Sequence, residues 1–477
     1  MYLRIFLKIV LYWILIPFGI VGIFTLWPSN GLWWGVFFII FGIFWTGISS
    51  AYLILDGHGS PFKEIATKRF VKSGPYSMSR HPIYFGYLLY TLGVALMFNI
   101  HILWVWLAGL AIILILAVLE NRSLFEKFPQ AKEIHLPLIL PLKKWKVDPV
   151  VEPPFLYTFM FLIGKFIVPF FYDVKMEGKE KIPDGPYVVI ANHSSYPDPL
   201  FVIDILNSYV RFPITSAHYK RFSWFYELVG IFPIKRYTVD AHAIMKFTKT
   251  MRSGGIIGIF PEGERNWDGR PLEVQEGVIK LIKTSPNPIL PVRIENIHLL
   301  WPRWAKKLSK GVVKVKIGDP VSPQDYSKAF DFIFLDTFKS KTYASYSGIE
   351  RYLWQCPKCK TTGSIKGYKK GFECKNCGSK WIKPSVEEVR KLYDSISLSG
   401  KTILKDDAII NGKRSKLIMD KNKIEIGDVA FNLSDVQSFL TESSKHIYIF
   451  TNQLFIVKPL KTSPLMWKKY FDFFKIK

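Results

Sequence analysis

At 477 residues the chain is too long for one compact core, and length alone points to roughly three domains. Hydrophobic residues make up 49% of it and aromatics 16%, yet the formal net charge is +26, a combination foreign to an ordinary soluble protein. Membrane residence accounts for both features, whereas nucleic-acid binding does not, because most aromatics fall in apolar runs rather than between basic residues.

Residues 5–26 and 32–55 are each long enough to cross a bilayer, which takes about 20 apolar residues. Residues 82–98 and 102–119 form a second, slightly shorter pair. The first run is too long for a cleavable signal, a second follows at once, and no clear small-residue cleavage site stands between them. The breaks within each pair carry no Lys or Arg. The loop 56–81 holds Lys63, Lys68, Arg69, Lys72 and Arg80, the N-terminus has Arg4 and Lys8, and Arg122, Lys127 and Lys132 follow the last run. The positive-inside rule then predicts four spans, with both termini and the central loop in the cytosol. After the proline-rich linker 149–154, the apolar stretch 155–172 is expected to lie in the interface and dock the next domain.

From about Val174 strand-type runs at 187–191, 255–260, 289–294 and 312–317 alternate with helical patterns at 241–251 and 274–283, which predicts an α/β sheet. Residues 386–395 read as a helix. Short strands are expected at 417–419, 423–426, 446–451 and 453–457, with a hairpin turn at Asp420-Lys421-Asn422. A helix over 466–474 closes the chain. The predicted architecture is a helical membrane bundle (1–148), an α/β domain (155–323), a cysteine-bearing unit (345–384) and a β-rich module (385–477).

Directly after the run 187–191 comes Asn192-His193-Ser194-Ser195-Tyr196-Pro197-Asp198. Strand ends are where α/β sheets place chemistry. His takes a proton from a hydroxyl near neutral pH, and a carboxylate at its other nitrogen fixes the tautomer. A second cluster, Phe260-Pro261-Glu262-Gly263-Glu264-Arg265, also follows an apolar run. Its glycine permits close approach of a ligand, and its Arg offers a planar fork for phosphate. Between them lies Gly230-Ile231-Phe232-Pro233-Ile234-Lys235-Arg236, and Ile289-Leu290-Pro291-Val292-Arg293 follows. The four segments in this order resemble the glycerolipid acyltransferase family, whose best-known member acylates lysophosphatidate, over about 155–323. The resemblance implies His193 as general base, Asp198 as its partner, and Lys235, Arg236, Glu262, Gly263 and Arg265 at the acceptor phosphate. The donor would be a thioester on CoA or an acyl-carrier protein, and membrane lipids would be the partners. The family usually has Thr or Ser where this chain has Glu264, and a second carboxylate there is expected to repel a phosphate.

In the basic loop, Asp56-Gly57-His58-Gly59-Ser60-Pro61 precedes Lys72-Ser73-Gly74-Pro75-Tyr76-Ser77-Met78-Ser79-Arg80-His81-Pro82-Ile83-Tyr84-Phe85-Gly86. These segments resemble the isoprenylcysteine carboxyl methyltransferase and phospholipid methyltransferase group over about 30–130. The resemblance implies S-adenosylmethionine held by Arg80, His81, Tyr84 and Glu120. Where that group has a second Glu this chain has Asn121. Methyl transfer as the main activity and a non-enzymatic scaffold acting through the C-terminal units are the alternatives.

All four cysteines lie in Cys356-Pro357-Lys358-Cys359 and, fourteen residues later, Cys374-Lys375-Asn376-Cys377. Two paired knuckles supply four thiolates for a structural zinc ion, and no cysteine remains for a structural disulfide. The strand-rich tail weakly resembles pleckstrin-homology or GRAM-type modules.

Overall fold

The computed structural model describes Leu11 and residues 32–61, 66–98, 103–216, 219, 222–235, 240–338 and 340–476. Apart from Leu11, the expected first span lies outside the described residues, as does Arg236.

The membrane part begins with α1 (Leu32–Leu55), α2 (Pro82–Phe98) and α3 (Leu103–Lys127). Glycines set how closely α1 and α2 cross. A Cβ on Gly42 would lie 2.5 Å from the Gly86 carbonyl oxygen, and one on Gly35 would lie 2.8 Å from that of Gly93. Small residues of this kind let helix backbones approach where lipid offers no hydrophobic drive. Among the described residues, α1 and α3 are long and apolar enough to cross a membrane, while α2 is shorter at 17 residues. Trp33, Phe37 and Ile40 of α1 and Trp104, Ile112 and Ile115 of α3 are exposed, as lipid-facing side chains are.

The stretch after the linker is one helix, α4 (Phe155–Phe171). Its inner face carries Tyr157, Thr158 and Phe161; Phe166 and Phe170 remain exposed. The Tyr157 hydroxyl donates to the Ser208 carbonyl and accepts from the Val210 N–H, both at 3.2 Å. Phe159 meets Phe44 of α1 edge-on. The helix thus ties the membrane part to the domain that follows.

That domain is built on β1 (Tyr172–Glu177), β2 (Val188–Ala191), β3 (Val210–Arg211), β6 (Ile256–Ile259), β7 (Ile289–Glu295) and β8 (Gly311–Ile317), in the order β1-β8-β7-β2-β6-β3. All neighbours are parallel except β7 and β8. β4 (Pro213–Thr215) and β5 (Phe232–Ile234) pair separately. The helices are α5 (Asp198–Leu206), α6 (Ser223–Leu228), α7 (Ala241–Arg252), α8 (Glu276–Lys283), α9 (Ile297–Leu300) and α10 (Tyr326–Ile333). β2 and β6 are buried at every residue, which is why they read as unbroken apolar runs rather than alternation.

Beyond it, β9 (Ile365–Tyr368), β10 (Gly371–Cys374) and β11 (Lys380–Ile382) form a small antiparallel sheet around the cysteines. Helix α11 (Val386–Asp394) starts at a capping box between Ser385 and Glu388. Seven antiparallel strands follow: β12 (Leu404–Ile410), β13 (Lys413–Met419), β14 (Lys423–Ile426), β15 (Val429–Asn432), β16 (Ser438–Thr441), β17 (Ile447–Phe450) and β18 (Leu454–Pro459). The expected turn joins β13 to β14, with the Asp420 carboxylate accepting the Asn422 N–H at 2.8 Å. Helix α12 (Pro464–Ile476) covers one end of this sheet. Trp267, Leu299 and Trp304 of the α/β domain share one core with Tyr352, Trp354 and Trp467 of the C-terminal part.

Candidate active site and the membrane-side cluster

β2 and β6 are parallel neighbours, so the loops leaving their C-terminal ends meet. After β2 the chain turns at Pro197 into α5, which brings Asp198 back under the loop. His193 Nδ1 lies 2.8 Å from Asp198 Oδ2. The same oxygen accepts the backbone N–H groups of Ser194 at 2.7 Å and Ser195 at 2.8 Å. Asp198 is completely buried, so three donors fix one carboxylate oxygen out of reach of water. With Nδ1–H donated to Asp198, the basic lone pair of the ring is on Nε2. The imidazole stacks on Phe260 at 4.3 Å, and Phe260 stacks on Phe212 at 5.3 Å.

The loop after β6 has two faces. Its inner face builds the site. Glu262 accepts the His193 N–H at 2.6 Å and the Leu272 N–H at 3.0 Å. It is 3% exposed, and burial pushes its pKa up to about 8 against the pull of those N–H groups. Glu262, expected at the acceptor phosphate, is therefore a buried strut under the His193 backbone. Gly263 sits at φ 68°, a left-handed conformation that side chains disfavour. The Asn266 N–H donates to the His193 carbonyl at 3.0 Å, and its side-chain amide donates to Ser194 Oγ at 3.2 Å. The Arg265 guanidinium lies over Tyr196, 3.5 Å from the ring centroid. Arg265 is 8% exposed, and among the described residues no carboxylate pairs with it.

The outer face explains Glu264. Its carboxylate turns away from Arg265 and accepts from Arg303 Nη2 at 3.2 Å and Thr441 Oγ1 at 3.0 Å. The repulsion expected from the sequence is thus neutralised by a buried guanidinium. Arg293 is also spent internally, on Glu295 at 2.9 Å and the Phe332 carbonyl at 2.9 Å. Lys235 lies exposed just beyond β5, its backbone N–H donating to Asp240 at 2.9 Å.

A second polar cluster forms at the ends of α2 and α3. The Arg80 guanidinium donates to Asn121 Oδ1 at 3.3 Å and the Ile134 carbonyl at 3.1 Å. His81 Nδ1 lies 3.6 Å from Glu120 Oε2. The backbone N–H groups of Arg80 and His81 donate to the Pro137 and Leu138 carbonyls, both at 2.9 Å. Tyr84 packs beside the His81 ring, 5.9 Å between centroids. The Tyr76 hydroxyl, Ser79 Oγ and His81 Nε2 are buried without a hydrogen-bond partner. Orphaned donors and acceptors of this kind are costly unless a ligand or water satisfies them, so this cluster fits a polar cofactor such as S-adenosylmethionine.

The two clusters lie in segments that match known families. Residues 173–295 match the acyltransferase family model, and residues 31–131 match that of the phospholipid methyltransferases. The chain joins an acyltransferase-family segment to a phospholipid methyltransferase-family segment. A 1-acyl-sn-glycerol-3-phosphate acyltransferase of Bacillus subtilis is 26% identical over 178 residues, 36% of this chain and 85% of that protein. One from Borreliella burgdorferi is 33% identical over 25% of this chain and 50% of that protein. The human alpha enzyme is 26% identical over 32% of this chain and 57% of that protein. The crystal structure of the 1-acyl-sn-glycerophosphate acyltransferase of Thermotoga maritima is similar at 24% identity and a TM-score of 0.33, covering 38% of this chain and 77% of that one.

In the C-terminal part the four cysteine sulfurs lie within 4.8 Å of one another. Cys356 and Cys377 are 3.8 Å apart, Cys359 and Cys374 3.7 Å. A tetrahedron with metal–sulfur bonds of about 2.3 Å has edges of about 3.8 Å. The cluster fits a zinc ribbon.

Sequence reasoning passed over several residues that finish the acyltransferase-family site. Asn192 pairs its side-chain amide with the backbone of Ile294, accepting at 2.8 Å and donating at 3.0 Å. Tyr196 stood inside the quoted motif, but the guanidinium it stacks on belongs to Arg265, 69 residues on, so no local signal marked it. Asn266 lies just past the second quoted cluster, with no sequence hint that it would bind both His193 and Ser194.

Proposed function

We propose that the chain is a membrane lipid O-acyltransferase that moves an acyl group from a thioester to the free hydroxyl of a lysophospholipid. The observation that carries this reading is the pairing of a His193–Asp198 couple with a nearly buried guanidinium, Arg265, that no carboxylate among the described residues neutralises. The family membership of residues 173–295 and the names of the relatives, which are 1-acyl-sn-glycerol-3-phosphate acyltransferases, support it. His193 Nε2 takes the proton of the acceptor hydroxyl as its oxygen attacks the thioester carbonyl. Asp198 stabilises the imidazolium so formed. The tetrahedral intermediate collapses, the carbon–sulfur bond breaks, and the leaving thiolate takes up the proton held on His193, which restores the base. Arg265, stacked on Tyr196, takes the acceptor phosphate; Lys235, just beyond β5, and Arg236, next to it in the sequence, add positive charge. Acyl-CoA or an acyl-carrier protein serves as donor.

Methyl transfer is a second activity, favoured by the orphaned polar atoms around His81. Arg80, His81, Tyr84 and Glu120 would hold S-adenosylmethionine, which supplies an electrophilic methyl group. The chain is read as four spans with the cytosolic side carrying both termini, divided at 1–148, 155–323, 345–384 and 385–477. Contacts of Lys68 and Arg69 with Asp184, and of Ser208 with His58 at 3.3 Å, support one side of the bilayer for the basic loop and the acyltransferase-family domain.

The test is incorporation of labelled acyl-CoA into a panel of lysolipids by purified membranes, with and without S-adenosylmethionine. His193→Ala is expected to abolish incorporation while the protein stays in the membrane, and unchanged incorporation rejects the assignment. Calorimetric binding of S-adenosylmethionine that disappears in Glu120→Gln supports the second activity; no binding to the parent rejects it.

A further inference from the structure

The loop from Glu262 to Arg270 is shared between two halves of the molecule. Glu262, Arg265 and Asn266 turn inward to the His193 loop, as described above. Glu264, Trp267, Asp268 and Arg270 turn outward, and what they meet comes largely from beyond residue 340. Asp268 accepts the Tyr352 hydroxyl at 2.6 Å, and its backbone carbonyl accepts from Arg390 at 3.0 and 3.1 Å. Arg270 donates to both oxygens of Asp394, at 3.0 and 2.9 Å. Trp267 joins the C-terminal core.

The contact at Glu264 is the most consequential. It is the residue next to Arg265, and a free carboxylate there would be the obvious partner for that guanidinium. Instead Arg303 intervenes. Its side chain is 1% exposed and its guanidinium lies over Trp267 at 4.5 Å. One terminal nitrogen donates to the Arg265 carbonyl. The other donates to Glu264, to the Thr441 carbonyl and, at 3.0 Å, to Thr441 Oγ1. Thr441 ends β16 and is 2% exposed, and its hydroxyl donates to the same Glu264 oxygen. Glu264 is therefore held by one residue of the α/β domain and one of the β-rich module, 177 residues away in the chain.

We propose that the β-rich module keeps the acceptor-phosphate site vacant of its own internal anion: Thr441, with Arg303, holds the Glu264 carboxylate away from Arg265. This rests on the acyltransferase reading above and names the C-terminal module as a positioning element of that site. Without the Thr441 hydroxyl, Glu264 loses one of its two partners and competes with substrate phosphate for Arg265. The carboxylate is tethered one residue from the guanidinium, so its local concentration there is high. The competition acts at Arg265, which on that reading takes the acceptor's phosphate and not the phosphates of the donor.

The experiment uses the full-length protein in membranes with labelled acyl-CoA and lysophosphatidate. Thr441→Val keeps the shape and removes the donor. It is expected to raise the acceptor KM about tenfold, the scale of one lost hydrogen bond to a charged group, with kcat and the donor KM unchanged. Glu264→Gln in the Thr441→Val background removes the competing charge and is expected to bring the acceptor KM back to within about twofold of the parent, since a neutral amide does not rival phosphate for a guanidinium. An unchanged KM in Thr441→Val overturns the proposal. So does a double variant as weak as the single one, because simple destabilisation would not be repaired by a second substitution. Should the parent protein transfer no acyl group at all, the functional reading fails, and the positioning role is read separately from amide hydrogen exchange. Faster exchange over residues 262–271 in Thr441→Val supports it, and unchanged exchange overturns it.

Discussion

His298 shows how one buried side chain couples the fold to pH. It packs against Phe338 at 4.8 Å and Tyr343 at 5.3 Å between ring centroids, with Nε2 3.4 Å from the Tyr343 hydroxyl and Nδ1 unpartnered. Burial lowers its pKa from 6.5 to about 4; Arg390 and Lys341 push the same way, and Asp268 and Asp336 oppose them. The unfolded chain takes up a proton below pH 6.5 that the folded chain refuses until about pH 4. Stability is therefore expected to fall across that window by about 1 kcal/mol per pH unit and to be flat above it, as far as this group is concerned. Thermal unfolding of the parent and of His298→Gln at pH 7.5 and pH 5 measures it. The drop on acidification should be smaller in the variant, and equal drops would sink the idea. At this scale the sequence exposed short-range chemistry only. His193 and Asp198 were visible because five positions and one turn separate them. The partners of Glu264 were not, because Arg303 and Thr441 lie 39 and 177 residues away.

Elements were most legible where lipid or a parallel sheet demands unbroken apolar runs. Helices α1 and α2 have the expected limits, and the runs at 187–191, 255–260 and 289–294 hold β2, β6 and β7. α3 continues to Lys127, past the expected end at Leu119, because hydropathy stops where polar residues begin and helical hydrogen bonding does not. β12 escaped notice because Asp406 and Asp407 interrupt its apolar pattern. The strand holds because Asp406 turns inward and accepts the backbone N–H groups of Lys461 and Thr462, the latter at 2.7 Å. The glycine crossing of α1 and α2 makes a prediction of its own. Gly42→Leu places a side chain where the Gly86 oxygen and Tyr90 nitrogen already stand 2.5 Å from an added Cβ. The helices must separate, at a cost of about 2 kcal/mol or more. Gly109 of α3 has nothing within 4 Å of an added Cβ, so Gly109→Leu serves as the control. In detergent, Gly42→Leu should unfold several degrees below both the parent and the control, and coincident melting curves for all three would contradict the close crossing.

On the scale of the whole molecule, the cysteine cluster is a part of the acyltransferase-family domain's own support. Cys356 and Cys374 belong to the same core as Trp267, Trp304, Trp354 and Trp467. Trp304 stacks on Tyr352 at 5.1 Å, and Tyr352 stacks on Tyr393 at 4.3 Å, so aromatic contact runs from the α/β domain through the segment before the ribbon to α11. A structural zinc ion contributes its binding energy directly to folding, about 10 kcal/mol or more in small metal-dependent units. Loss of the metal removes that contribution, and the ribbon and with it this shared core are expected to open. Cys374→Ala, or chelation of the parent, is expected to shift tryptophan emission to longer wavelength and to abolish acyl transfer. Among the described residues no membrane helix shares a core with the ribbon: the helices pack around Ile48, Tyr90 and Ile113, and Ala51 and Leu55 of α1 pack with Tyr209 and Val229 of the α/β domain. Membrane retention and binding of S-adenosylmethionine should therefore survive the same treatment. Loss and retention are expected to divide along the chain at α4, and loss of S-adenosylmethionine binding together with acyl transfer on zinc removal would show that the halves do not stand independently.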